Sequence, residues 1–112
     1  VSKTKPKPKG VRAEFTEYDM RVGKAWSLHI QGQSEAAVAE FEKLVDEWND
    51  HIDANYGLAL AYKGAKRYDQ AREQFRKVRE YIEAERARQT GEDTSRFQML
   101  LRMIDQHLAT LN

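Results

Sequence analysis

Cysteine is absent from the 112 residues, which removes disulfide frameworks, thiolate chemistry and cysteine-based zinc sites. Proline occurs only as Pro6 and Pro8, so nothing beyond them forbids long helices. The six glycines are dispersed and form no phosphate-cradling loop. His29, His51 and His107 are scattered, with none at the i, i+4 spacing that places two imidazoles on one metal. The acidic cluster Asp46, Glu47, Asp50 and Asp53 beside His51 lacks the alternating acidic-glycine pattern of a calcium loop. No nucleophile–base motif is present. The expectation is therefore no metal, no cofactor and no enzyme. No apolar run approaches the roughly 20 residues that cross a bilayer, and no signal-peptide pattern opens the chain. A cytoplasmic protein without a membrane partner is expected.

What is present begins with charge. Of 19 basic residues, Lys3, Lys5, Lys7, Lys9 and Arg12 lie in a segment without acids. The remainder holds 14 basic against 18 acidic residues, a mildly acidic body of −4. The Lys-Pro-Lys-Pro-Lys-Gly run at 5–10 cannot be helical and buries nothing, so residues 1–13 are expected to be a disordered arm. Without an aromatic residue to stack on bases, the arm reads as a linker rather than a nucleic-acid contact.

From Glu14 onward the apolar spacing is helical. A first segment, 14–31, aligns Tyr18, Val22, Ala25, Trp26 and His29, and Gly32-Gln33-Ser34 breaks it with Ser34 as the next N-cap. A second, 35–49, aligns Ala37, Phe41, Leu44, Val45 and Trp48. A third at 54–65 is short and alanine-rich. A fourth runs to 89 with Asp69 as its cap, aligns Ala71, Phe75, Val78, Tyr81 and Ile82, and can pair Glu73 with Lys77. Thr90 to Asp93 ends it, and a last helix spans 94–111, capped by Thr94 or Ser95.

A shift of 34 residues superposes Asp19 on Asp53, Gly23 on Gly57, Ala25 on Ala59, Ala37 on Ala71, Phe41 on Phe75 and Lys43 on Lys77. Six identities among 31 pairs exceed the roughly 6–7% given by ordinary composition. Small residues recur where two helices must approach, and phenylalanine recurs beside them. Asn55 to Tyr62, then Tyr68 to Ala71 and Phe75, resemble one complete unit of the tetratricopeptide repeat family. Leu58, Ala59, Tyr62, Ala71 and Phe75 occupy that family's packing positions. The first unit is a poorer copy, with Ala25, Leu28, Ala37 and Phe41 in place but Arg21 and Lys24 where bulky apolar residues are usual. Neither unit has the family's usual terminal proline.

The resemblance implies an all-α fold of antiparallel hairpins stacked as a short right-handed solenoid. Repeat one spans 18–51, repeat two 52–89, and a capping helix 94–111, within a domain of 14–112. It further implies a protein–protein interaction module whose leading helices line a concave groove for a peptide or partner protein. The groove set is Val22, Trp26, His29, Ile30, Tyr56, Leu60, Lys63, Met99 and Arg102. Trp26 has a second reading, as a core residue of the first repeat, and Gly23 and Gly57 admit either ligand approach or relief of helix crowding. They stand where carboxylate-gripping members of the family carry asparagine, so chaperone-tail binding is not expected. The alternative function is a self-associating module, a homodimer through the broad apolar face of 94–111 serving assembly of a larger protein.

Overall fold

The computed structural model describes residues 16–88 and 95–111, which form five helices: α1 (Glu17–Ile30), α2 (Ser34–Glu47), α3 (Ile52–Gly64), α4 (Tyr68–Arg88) and α5 (Ser95–Leu111). The expectations for residues 1–13 and for the 90–94 stop and cap lie outside the described residues.

The ends of α1 and α3 have identifiable local causes. Thr16 caps α1: its hydroxyl accepts from the Asp19 amide at 3.1 Å, and the Asp19 carboxylate accepts from the Thr16 amide at 2.9 Å. Gly32 stops the helix at φ +83°, a left-handed conformation that costs glycine nothing. Thirty-four residues later Lys66 takes the same turn at φ +65°, where a Cβ is penalised. His51 caps α3 through its Nδ1, which accepts from the Ala54 amide at 3.1 Å.

Two expected caps are corrected. Ser34 is the first helical residue of α2, and Gln33 precedes it without a side-chain cap. The Ser34 hydroxyl instead lies against Gly64, 2.6 Å from where a Cβ would stand, filling a close approach between α2 and α3. Asp69 lies inside the first turn of α4 and pairs with Arg72. Lys77 turns toward α2, lining a cleft with Glu42 and Asp46.

The helix α3 lies at the centre, packed against α1, α2 and α4, while α5 packs on α4. Its Ala54, Gly57, Ala59 and Ala61 are all buried, because small side chains let three helices close around it. Phe41 of α2 and Phe75 of α4 are completely enclosed and supply the bulk that α3 lacks. A Cβ on Gly57 would overlap the Phe41 ring. Gly23, its partner in the repeat, has nothing within 4 Å.

Polar groups close the bends. Buried Asn55 donates to the carbonyls of Asn49 (2.9 Å) and His51 (2.7 Å), and accepts from Gln74 of α4 at 2.7 Å. Its counterpart Arg21 grips Glu47 of α2 through two hydrogen bonds of 2.9 and 2.6 Å. Tyr18 donates to the Leu44 carbonyl at 2.8 Å, and its burial pushes the phenol pKa up.

Two stability predictions follow from this backbone. Gly57→Ala is expected to lower unfolding free energy by about 1–3 kcal/mol through overpacking on Phe41, while Gly23→Ala is expected to raise it by about 0.5–1 kcal/mol; urea melts of both variants provide the check. Lys66→Gly is expected to raise the thermal midpoint, because relief of about 1–2 kcal/mol of left-handed strain outweighs the added chain entropy. An unchanged or lowered midpoint would show that Lys66 is unstrained.

Candidate functional site

The α1, α3 and α5 helices share one face of the molecule, and their side chains define its relief. Trp26 is half-buried, edge-on to Phe41 at 5.6 Å between ring centroids and 6.3 Å from Tyr56. One edge of the indole therefore belongs to the core, and the side chain is not fully enclosed. Tyr56 is half-buried against Phe75 at 6.1 Å, and burial raises its phenol pKa. Leu60 and Lys63 follow it at four- and seven-residue steps, on the same face of α3.

On the α5 side, His107 stacks on Phe75 with centroids 4.8 Å apart and planes 9° from parallel. Its Nδ1 lies 3.0 Å from the Lys63 ammonium, and its Nε2 lies 3.5 Å from the Tyr56 hydroxyl. Lysine only donates, so Nδ1 accepts and the ring proton sits on Nε2, toward Tyr56. Burial, and secondarily the Lys63 charge, hold the imidazole below its ordinary pKa.

This bridge divides the face into two clefts. One of about 360 Å³ is lined by Asp19, His51, Ile52, Asp53, Tyr56, Arg96 and Leu100. The other, about 420 Å³, is lined by Lys63, Tyr68, Arg72, Thr110 and Leu111. Arg72 is held there by the Leu111 carbonyl at 2.5 Å and by Asp69. Among the described residues no three histidine or acidic side chains gather as a metal site would require.

The anticipated groove residues take different places. Trp26, Tyr56, Leu60 and Lys63 come together on the shared face. Val22 lies beneath them, buried at 5% exposure. His29 is half-buried, edge-on to Trp26 at 6.0 Å. Ile30 stands out at 78% exposure and Met99 at 54%, and Arg102 is also exposed. The α5 residues in the cleft beside Tyr56 are Arg96 and Leu100. His107 was not among the anticipated groove residues, although its spacing from Leu100, Ile104 and Leu111 puts it on the inner face of α5.

A family model described as tetratricopeptide repeat matches residues 28–104. No curated protein and no solved structure matches the chain significantly.

Truncation separates the structural from the exposed members of this face. Trp26→Ala is expected to cost about 2–4 kcal/mol by stripping packing from Phe41 and Tyr56, whereas Ile30→Ser should change stability by less than about 0.5 kcal/mol. Denaturant titration of the two variants checks the contrast.

Proposed function

Since this chain belongs to the tetratricopeptide repeat family, a family of protein-interaction modules that typically do not catalyse, we propose that it binds a peptide or partner protein along the face shared by α1, α3 and α5. The observation that carries this reading is the pairing of half-buried Trp26 with Tyr56, which itself lines one of the two clefts. Such aromatic groups, rigid and partly desolvated, contribute most of the energy in protein interfaces. Val22 supports them from below, Ile30 and Leu60 extend the apolar surface, and Lys63 supplies a cation at one end. His29 forms the margin beside Trp26, whereas Met99 and Arg102 are exposed on the side of α5 away from Ile104 and His107. A partner that inserts an apolar side chain beside Tyr56 and Leu100 fits this arrangement. No described helix is long and apolar enough to cross a membrane, and the reading invokes no nucleic acid.

Self-association through α5 is the second reading. It draws on Met99 together with the partly buried Leu100, Leu101, Leu108 and Leu111. A light-scattering mass that stays monomeric over a wide concentration range removes it.

For the groove, an affinity capture from native extract is expected to retain a partner with the wild type and lose it with the Ile30→Asp, Leu60→Asp double variant. Truncating or charging anchor positions of this kind costs about 2 kcal/mol or more each. Circular dichroism must show unchanged helicity for the loss to count. Undiminished capture by the folded double variant would place binding elsewhere.

A further inference from the structure

The attachment of α5 is lopsided. Toward α4 it is firm: Phe97 and Ile104 are buried, and Asp105 pairs with Arg79. Toward α3 it is loose: among the described residues no Cα of α5 lies within 8 Å of a Cα of α3. Polar links across that gap include His107 to Lys63, His107 to Tyr56, and Lys63 to the Thr110 hydroxyl at 3.4 Å. One imidazole thus joins α5 to the groove side of α3 while its face rests on Phe75 of α4.

We propose that His107 is a proton-operated latch, which holds α5 against α3 when neutral and releases that edge of the helix when protonated. The neutral ring accepts from the Lys63 ammonium through Nδ1. An added proton would occupy that same nitrogen, leaving two cationic donors facing one another at 3.0 Å with no acceptor between them. The neighbouring elements offer no relief. From α3 the facing groups are Lys63 and the Tyr56 phenol. From α4 they are the Phe75 ring and, in the adjoining cleft, Arg72. The nearby carboxylates Asp69 and Asp105 are already engaged by Arg72 and Arg79. Within α5, Thr110 spends its proton on the His107 carbonyl at 2.8 Å.

Because the folded ring has a depressed pKa, its contribution is intact above about pH 6.5, the unfolded value. It is lost as the pH falls through the lower folded value. The latch stands apart from the groove reading. Only its consequence, that acid would widen the clefts and alter ligand binding, rests on that reading.

The absence of cysteine makes a direct test simple. Spin labels at Ser27→Cys on α1 and Gln106→Cys on α5 report the separation of α5 from the body without any ligand. The expected result is one narrow distance at about pH 7.5 and a longer or broader distribution at about pH 5, reversibly. In a His107→Gln background the two distributions should coincide. In a Lys63→Gln background, the NMR titration midpoint of His107 should rise by about half a unit or more, roughly threefold in proton affinity. A wild-type distance that ignores pH overturns the proposal. So does an acid response that persists in His107→Gln, or a midpoint unmoved by Lys63→Gln.

Discussion

The fit of the Phe41 ring against the bare backbone of Gly57 is the contact from which the rest of the architecture follows. A phenylalanine with no exposed surface needs a partner surface on every side. Here α1 supplies the edge of Trp26 and α3 supplies a glycine. That choice sets how closely α2 approaches α3, and α1 is carried in with its own hairpin partner. Trp26 and Tyr56 reach 6.3 Å from each other because the helices beneath them are already this close. The candidate binding face is thus a product of core packing, and its relief cannot be altered without disturbing the phenylalanine that supports it.

Polar residues at the corresponding position of each unit then fix the angle at which the hairpins open. The first unit carries Arg21 there and the second Asn55. Arg21 is part-exposed and its ion pair with Glu47 is worth at most about 1 kcal/mol. Asn55 is buried and satisfied by two carbonyls and Gln74, so it takes over the hydrogen bonds that the bend between α2 and α3 would otherwise leave unmade. Tyr62 makes a comparable tie at the other end of α3, donating to Glu42 of α2 at 2.7 Å, with its phenol pushed up to about 12 chiefly by burial. The central helix is therefore tethered to α2 through Tyr62 and to α4 through Asn55, and replacing Gln74 alone would leave the buried Asn55 side-chain oxygen unpaired.

The helices and their order were legible because four amphipathic periods and one short alanine-rich segment, separated by turn residues, leave little choice. The bounds agree with the structure to within about three residues, as helix ends usually do. The inner faces of the first, second and fourth helices could also be read, since Tyr18, Phe41 and Phe75 sit at regular steps. Other features depended on geometry that spacing alone does not encode. Serine is a favoured cap, yet Ser34 was drawn into the helix because Gly64 left room for its hydroxyl. Gly23 and Gly57 are identical in sequence and aligned in the repeat, but only one has a ring against it. His107 looked like an isolated histidine because its three partners, Tyr56, Lys63 and Phe75, come from two other helices. The candidate site was thus half readable: the face could be named from the family, but not the link that divides it.

The contrast between the two leading helices shows what a repeat register does and does not impose. Met20, Gly23, Lys24 and Ser27 on α1 correspond to Ala54, Gly57, Leu58 and Ala61 on α3. The α3 set is buried and the α1 set is exposed, although both helices share the same backbone geometry. On α3 these positions meet α2, so every side chain is apolar or missing. On α1 no described element covers them, and lysine and serine take the places of leucine and alanine, as a face in contact with water permits. Gly23 keeps the residue type of the crowded position without the crowding. Repetition therefore specifies where helices lie, while the identity of each neighbour decides which chemistry those positions must carry. The same logic makes Ile30, exposed at the end of α1, a surface feature rather than a failed core residue.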